Sequence, residues 1–277
     1  MNPECVICGS KDSSRYLGSL KRCSNCGMVF CGLKITDEEQ NRLYQREYFF
    51  GLNYVDYIKE RAALRLNFKR YLEHILRYTV SPKNSRLFEI GAAYGFFLEA
   101  ARDEFCTIDG IDICADGCLY AQDKLGVKIR CGDFLETSIE KGRYDIFCMW
   151  DTIEHLTQPH LYIKKISETI KKEGIVAITT GDIDSLNARM AGKRWRLICP
   201  PAHLFYFSIK TISALLNRYG FEVLEVAHTG NYRTLGGMLL RRQNSIVHKM
   251  LKRTGIDGVP IYINMFDIMQ VIARKVK

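Results

Sequence analysis

Short apolar runs alternate with amphipathic stretches along the chain after residue 85, and each run has the length of a buried strand. They lie at residues 87–90, 107–113, 127–130, 144–150 and 175–180. Helical patterns separate them, and later ones predict helices at 161–172 and 209–218. Strands that alternate with helices predict a parallel sheet covered on both faces, and therefore an α/β fold.

The sequence before these runs predicts two further segments. Cysteine pairs and glycines mark residues 1–35, whereas residues 36–80 follow a helical period. Thr36 and the acidic residues after it are a favourable helix start, and a longer helix is predicted over 54–77. A Ser-Pro turn ends that helix and begins the third segment, residues 81–277.

The first apolar run leads into a glycine turn. Glu89 is followed by Gly91, Ala93 and Gly95, and a helical pattern continues from there. Glycine permits φ > 0 and leaves no Cβ between the backbone and a ligand, while N–H groups at a helix start face that ligand. The turn lacks the Gly-Lys-Ser/Thr end of a phosphate loop. Taken alone, it is equally typical of an ordinary strand-to-helix connection.

Acidic residues also stand where the next three predicted strands end. Asp112 ends the second strand about 20 residues after the glycine turn, where a carboxylate can accept both hydroxyls of a ribose. Asp133 follows the third strand and Asp151 follows the fourth. Ligands of parallel sheets bind outside the carboxyl ends of the strands, so these residues predict one shared binding crevice.

With these strand ends in order, residues 81–277 resemble the class I S-adenosylmethionine-dependent methyltransferases. The resemblance implies a Rossmann-like seven-stranded methyltransferase sheet, with a helical lid before it and an antiparallel last strand at 265–273. It also implies that the glycine turn holds the methionine part of the cofactor, that Asp112 binds the ribose, and that Asp133 and Phe134 contact the adenine. The implied cofactor-binding residues are Glu89, Gly91, Ala93, Gly95, Asp112, Ile113, Asp133, Phe134, Trp150 and Asp151.

The first segment carries a cysteine pattern that is typical of a metal site. Two Cys-x-x-Cys-Gly pairs, Cys5 with Cys8 and Cys23 with Cys26, are separated by 14 residues. This spacing is that of two metal-binding knuckles, and four thiolates predict a closed, structural zinc site in a zinc ribbon. A segment this short has too little core to fold without the metal. Cys31 is expected to be a packing cysteine.

Composition narrows the class of protein. Eleven cysteines without a signal peptide indicate a reducing compartment, and we expect the cytoplasm. No apolar run is long enough to cross a membrane. The formal net charge of +9 favours acidic partners, but it does not choose among nucleic acid, phosphorylated small molecules and anionic membranes.

Two histidines are the candidate catalytic residues, because a histidine with a pKa near neutrality can remove an acceptor proton. His155 and His203 both follow strands whose ends face the expected crevice. Together with the ribbon, their surroundings resemble the zinc-ribbon methyltransferases of sugar and natural-product pathways. Sugar C-methyltransferases of that type carry a tyrosine and a glutamate where this chain has Pro200 and Ala202. This departure disfavours C-methylation of a keto sugar, and O-methylation with His203 as the base fits better. The expected acceptor is a sugar, including a phosphorylated or nucleotide-linked one, or a polyketide-like molecule.

Several residues have two interpretations each. The basic residues of the long stretch 181–208 could clamp a phosphate or form a solvated face. They are Lys193, Arg194 and Arg196. In the same stretch, Trp195 and Tyr206 could stack on a ligand or lie in the core. Tyrosines of the predicted lid could cover the cofactor or pack in the core; these are Tyr44, Tyr48 and Tyr54. Residues 235–255 predict a basic helical insertion, with Arg241, Arg242, Lys249, Lys252 and Arg253.

Other functions stay open at this point. The charge and the ribbon also fit an RNA methyltransferase, although the Asn/Asp-Pro-Pro-Tyr/Phe motif of base N-methyltransferases is missing. C- or N-methylation of a sugar is a further alternative. A third is a non-catalytic binding protein that keeps the cofactor fold.

Overall fold

A computed structural model describes residues 4–33, 35–43, 57–238 and 256–276. The strands are β1 Ser13–Arg15, β2 Leu20–Cys23, β3 Val29–Cys31, β4 Arg86–Ile90, β5 Thr107–Asp112, β6 Ile129–Cys131, β7 Tyr144–Trp150, β8 Ile170–Gly181, β9 Phe205–Tyr206, β10 Phe221–Thr234 and β11 Pro260–Lys275. The helices of the described residues are α1 Asp37–Leu43, α2 Arg61–Tyr78, α3 Phe96–Ala101, α4 Ala115–Tyr120, α5 Pro159–Thr169, α6 Leu186–Ala191, α7 Ile209–Arg218 and α8 Leu235–Met238.

Seven strands form one sheet in the order β10-β11-β8-β7-β4-β5-β6. Strands β6, β5, β4, β7 and β8 run parallel to their neighbours, whereas β11 is antiparallel to both β8 and β10. Large apolar side chains bury both faces of the central strands. The predicted seven-stranded α/β sheet with an antiparallel last strand is therefore confirmed.

Several strands and helices begin or end at other residues than predicted. Strand β8 begins at Ile170, five residues before the predicted start at 175, because Ile170 already pairs with Tyr144 across a register shift. Strands β10 and β11 continue past the sheet as a long antiparallel hairpin. A helical insertion was predicted at 235–255. Only α8 of this insertion lies within the described residues, and the basic residues of the insertion lie outside them.

The helical segment before the sheet is fixed to it by specific contacts. Thr36 and Glu39 form a capping box at the start of α1, with N···O distances of 2.9 and 3.1 Å. Helix α2 begins at Arg61, later than predicted. The buried side-chain amide of Asn67 in this helix both donates to and accepts from the backbone of Tyr232, at 3.0 and 2.6 Å. The lid tyrosines Tyr44, Tyr48 and Tyr54 lie outside the described residues.

The cysteine-rich segment joins the rest of the chain through a shared sheet. Strands β1, β2 and β3 form an antiparallel meander, and β3 also pairs with β9, so that Val29 faces Tyr206. Met28 and Phe30 enter the same core cluster as Phe207 and Leu216. The stretch 181–208, predicted as a long irregular loop, therefore supplies one strand of the ribbon sheet. None of the described helices is both long and apolar enough to span a membrane.

Candidate active site

A cavity of about 680 Å³ opens at the carboxyl ends of the parallel strands. Its walls contain most of the predicted site residues: Glu89, Gly91, Ala93, Asp112, Ile113, Asp133, Phe134, Trp150, Asp151, His155 and His203. Because β6, β5, β4, β7 and β8 are successive neighbours, the cavity runs from Asp133 at one side to Gly181 at the other. Its volume lies within the roughly 300–1,000 Å³ of small-molecule sites.

The glycine turn after β4 has the conformation that its sequence requires. Gly91 has φ +78°, and a Cβ built on it would lie 2.5 Å from Thr152 Oγ1. Ala93 takes a positive φ of 47° as well, which is uncommon for a residue with a side chain. Gly95, with φ +78°, begins α3 and packs against Ala121, so it shapes the turn but does not line the cavity. Its predicted contact with the cofactor stays a prediction.

Glu89 has the surroundings of a ligand-binding carboxylate. It is 2% exposed, and its Oε2 has no hydrogen-bond partner among the described residues. Burial, with a smaller contribution from the Asp112 charge, raises the pKa of Glu89 well above its usual value. A buried oxygen without a partner is costly, and the ammonium group of a bound methionine moiety would satisfy it. This position therefore fits the predicted cofactor.

Asp112 and Asp133 are held rigidly at the neighbouring strand ends. Asp112 accepts hydrogen bonds from the backbone N–H groups of Ala93 and Cys114, at 2.7 and 2.8 Å. Burial nevertheless raises the pKa of Asp112. Asp133 Oδ1 accepts from the N–H of Leu135 at 2.7 Å. It also accepts from a tyrosine hydroxyl at 2.7 Å. Both carboxylates are oriented before a ligand arrives.

The ring of Phe134 packs in the core beside the cavity. The ring is 1% exposed and stacks on Tyr162, with ring centroids 5.7 Å apart. Phe88 and Phe147 also contact it. The ring belongs to the core, and Phe134 also lines the cavity, so its contact with the adenine stays a prediction.

A second group of side chains lies over the β7 and β8 ends. Glu154 and His155 sit on a 3-10 turn, Ile153–His155, directly after β7. His155 Nδ1 lies 2.9 Å from the carbonyl oxygen of Ala202, and its ring centroid lies 4.7 Å from that of His203. These contacts bring the two predicted catalytic histidines together.

Burial shifts the pKa of each group in this cluster towards its neutral form. It raises the pKa of Glu154 to about 8, with a further contribution from the Asp151 charge. It lowers the pKa of His155 to about 4. Burial and the nearby His155 lower the pKa of His203 well below its usual value. Both imidazoles are therefore neutral near pH 7.

One wall of the cavity contains residues that were not singled out in the sequence, although its helical part belongs to the predicted lid segment 36–80. It comes from the turn before α2, from α2 itself and from β10, and includes Tyr57, Asn67, Tyr71, Tyr232 and Arg233. The Tyr71 hydroxyl donates to Asn231 Oδ1 at 2.7 Å, and its ring stacks on Trp150 at 4.9 Å. A buried asparagine on an otherwise apolar helix face was the one available signal, because such a group needs a specific partner.

The basic stretch around Arg196 is organised by an acid that is distant in sequence. Arg196 lies 2.7 Å from Asp267 Oδ1, and Trp195 Nε1 donates to Asp267 Oδ2 at 2.8 Å. Asp267 is 1% exposed. Arg196 lines the cavity, whereas Lys193 and Arg194 are exposed and do not. Trp195 and Tyr206 are core residues.

The four predicted metal ligands converge on one point. The Sγ atoms of Cys5, Cys8, Cys23 and Cys26 all lie within 4.8 Å of one another. Two pairs, Cys5 with Cys26 and Cys8 with Cys23, are 3.4 and 3.6 Å apart. Thiolates around a tetrahedral zinc ion are roughly 3.8 Å apart, so the cluster fits that ion. Cys31 is buried outside the cluster.

The sequence of residues 59–226 matches the model of a protein family described as a methyltransferase domain. This range is more than half of the chain. The chain belongs to this family and is an S-adenosylmethionine-dependent methyltransferase. No curated protein matches its sequence.

Solved structures share the fold of this methyltransferase at low sequence identity. Magnesium protoporphyrin IX methyltransferase from Synechocystis PCC 6803, solved with bound SAH, is 12% identical with a TM-score of 0.53, covering 78% of this chain and 85% of that one. An S-adenosylmethionine-dependent methyltransferase from Mesorhizobium loti is 12% identical, with a TM-score of 0.51 and coverage of 73% and 96%. The cyclase SpnF is 19% identical, with a TM-score of 0.54 and coverage of 75% and 80%.

Replacement of Asp112 by asparagine should weaken binding of S-adenosylhomocysteine roughly 100-fold, because hydrogen bonds to a charged acceptor contribute about 1.5–3 kcal/mol each. Isothermal titration calorimetry measures the change. Asp123→Asn, which neutralises an exposed carboxylate away from the cavity, is the matched control. Equal affinity in Asp112→Asn and the wild type would show that Asp112 orders the turn through Ala93 and Cys114 without touching the cofactor.

Proposed function

We propose that the methyltransferase transfers a methyl group to a hydroxyl oxygen of a small-molecule acceptor, with His203 as the proton acceptor. A sugar, free or nucleotide-linked, is the acceptor class. The observation that carries the proposal is that His203 lines the same cavity as Glu89, Asp112 and Asp133. One cavity can therefore hold a cofactor over β4, β5 and β6 and an acceptor over β7 and β8.

In this proposal, the residues over β4, β5 and β6 bind the cofactor, and those over β7 and β8 bind the acceptor and take its proton. Glu89, Asp112 and Asp133 would hold the cofactor, which when bound supplies a methyl group on a positively charged sulfur. The acceptor oxygen bonds to the methyl carbon as the carbon–sulfur bond breaks, and sulfur keeps the electron pair. The hydroxyl proton passes to the neutral imidazole of His203, whose pKa is lowered by burial and by His155.

The wall formed by α2, the turn before it and β10 supports a polar, ring-shaped acceptor. Tyr57, Tyr71 and Tyr232 supply aromatic surface, while Asn231 and Arg233 supply polar groups beside it. Mixed aromatic and amide walls suit a sugar, because its faces are apolar and its edge carries hydroxyls. Arg196 is paired with Asp267, but Arg233 also places a positive charge at the cavity, which suits a phosphorylated or nucleotide-linked sugar.

The predicted zinc ion has a structural role in this proposal. Four thiolates close the coordination sphere and leave no position for a substrate. The ribbon binds the segment that follows His203, since β3 pairs with β9. We infer that the metal fixes this segment and takes no part in methyl transfer.

Transfer of label from the cofactor tests the proposed function. Purified protein is incubated with methyl-labelled S-adenosylmethionine and a metabolite extract, and mass spectrometry locates the label in the products. We expect a methyl ether on a sugar-containing metabolite, and none with Asp112→Asn. Label on nitrogen or carbon contradicts O-methylation, label on RNA favours the nucleic-acid alternative, and binding without any transfer favours a non-catalytic protein.

A further inference from the structure

Three side chains that can bind metal meet over the β7 and β8 ends of the cavity, apart from the cysteine cluster. A carboxylate oxygen of Glu154 and one ring nitrogen each of His155 and His203 lie within 4.8 Å of one another. Ligands on opposite sides of an ion at about 2.1 Å are roughly 4.2 Å apart, so small side-chain rotations close this set around one ion. We propose that Glu154, His155 and His203 bind a divalent transition-metal ion.

Glu154 gives the first argument. The residue is 4% exposed, and its Oε2 makes no hydrogen bond to any described residue. Glu154 nevertheless lines the cavity. A buried carboxylate oxygen without a partner is destabilising, and a cation bound to it would offset this cost. An ion at this position therefore explains a group that the protein alone leaves unsatisfied.

His155 gives the second argument, because its hydrogen bond is the one that a metal-binding histidine makes. Its Nδ1 lies 2.9 Å from the carbonyl oxygen of Ala202. A carbonyl oxygen only accepts, so Nδ1 carries the proton in this contact. Histidine ligands commonly donate their other N–H to a backbone carbonyl in this way, which fixes the ring orientation.

The backbone holds the two ligand-bearing segments side by side. The N–H of Leu204, next to His203, donates to the carbonyl oxygen of Glu154 at 2.9 Å. Gln40 Nε2 donates to the carbonyl oxygens of His155 and Ala202, at 2.9 and 3.3 Å. The ligands are therefore positioned by contacts that do not depend on the ion, and a preorganised site binds an ion at lower entropic cost.

The ligand set indicates the kind of ion and its use. One carboxylate and two imidazoles favour Mn²⁺, Fe²⁺, Co²⁺ or Zn²⁺ over Ca²⁺ and Mg²⁺, and three protein ligands leave positions open towards the cavity. A hydroxyl bound there loses its proton more easily, and the proton leaves to water while the oxygen keeps its electron pair. With the ion bound, His203 is a ligand and no longer the base. This use of the ion rests on the proposed O-methylation, whereas ion binding does not.

Titration with Mn²⁺, followed by electron paramagnetic resonance, tests the site on the full-length, zinc-loaded protein. Mn²⁺ prefers oxygen and nitrogen ligands, so it does not displace zinc from four thiolates. We expect one Mn²⁺ per chain. Glu154→Gln and His203→Gln should each weaken binding at least about tenfold. Glu136→Gln, which changes a cavity carboxylate outside the cluster, and His160→Gln should leave Mn²⁺ affinity unchanged.

Weak or absent Mn²⁺ binding by the wild type, or unchanged binding in both cluster variants, overturns the proposal. Binding of S-adenosylhomocysteine shows that a variant is folded. If neither variant folds, pulsed resonance on the wild type decides, because imidazole nitrogens couple to the bound ion and their absence contradicts the site. A bound ion without methyl transfer refutes the proposed function alone. If methyl transfer proceeds at its full rate without Mn²⁺ or any metal other than zinc, the ion at this site has no role in catalysis.

Discussion

Replacing His203 by glutamine should lower the rate of methyl transfer by about 10²- to 10⁴-fold and leave the affinity for S-adenosylhomocysteine within about twofold, as expected for loss of a general base. Glutamine keeps a polar side chain of similar length but cannot accept a proton. His203 lines the cavity over β7 and β8, away from the Asp112 and Asp133 ends. Single-turnover rates with a known acceptor and calorimetry with the demethylated cofactor separate the two effects.

His160→Gln is the matched control for this experiment, because His160 is half-buried outside the cavity wall. Its rate should equal that of the wild type. An unchanged rate in His203→Gln would remove His203 from the chemistry altogether. A wild-type rate that requires added Mn²⁺ would instead identify His203 as a metal ligand, since a base acts without the ion. The Mn²⁺ requirement of the wild type and the Mn²⁺ affinity of His203→Gln together distinguish the two roles proposed for this residue.

The cofactor end of the site could be predicted because each part of it is local in sequence. A strand, a glycine turn and a helix start fix the surroundings of Glu89 and Gly91 within a few residues. Asp112 and Asp133 end neighbouring strands, and parallel topology brings such ends to one edge. The packing of the Phe134 ring in the core could not be predicted, because the sequence does not say which way a ring points once its strand has ended.

The acceptor end depends on contacts between distant segments, and these were not predictable. Asn67 meets Tyr232 across 165 residues, and Arg196 meets Asp267 across 71. The sequence around Arg196 contains no acid, so its charge looked unbalanced until the sheet brought Asp267 to it. The pairing of β3 with β9 was not predictable either, because a strand of two residues is too short to show a periodic pattern in the sequence.

The acceptor end is also where the chemistry of this fold is decided. A cyclase shares the fold with methyltransferases at a TM-score of 0.54 to this chain, so the sheet alone does not determine the reaction. The side chains over β7 and β8 must do so. In this methyltransferase Glu154, His155 and His203 lie there, and the segment that leads into β9 contacts the first two and carries the third. With the proposed role of His203, whatever orders that segment affects methyl transfer.

Disruption of the cysteine cluster should consequently reduce methyl transfer while sparing the cofactor site. In Cys8→Ser we expect the zinc content, one ion per chain in the wild type, to be lost together with most of the roughly 10–16 kcal/mol that such ions contribute to small metal-dependent folds. Strand β3 then no longer holds β9, and the His203 segment loses its position. The transfer rate should fall at least about tenfold, because small misplacements of catalytic groups cost rates of this order.

Cys106→Ser is the matched control, since Cys106 is exposed and lies outside the cluster. Elemental analysis, transfer rates and calorimetry are compared across the two variants and the wild type. Affinity for the demethylated cofactor should persist in Cys8→Ser, because Glu89, Asp112 and Asp133 belong to strand ends that the ribbon does not contact through β9. If this affinity disappears together with the activity, the ribbon supports the whole sheet. If both survive without zinc, the β3–β9 pairing does not position His203.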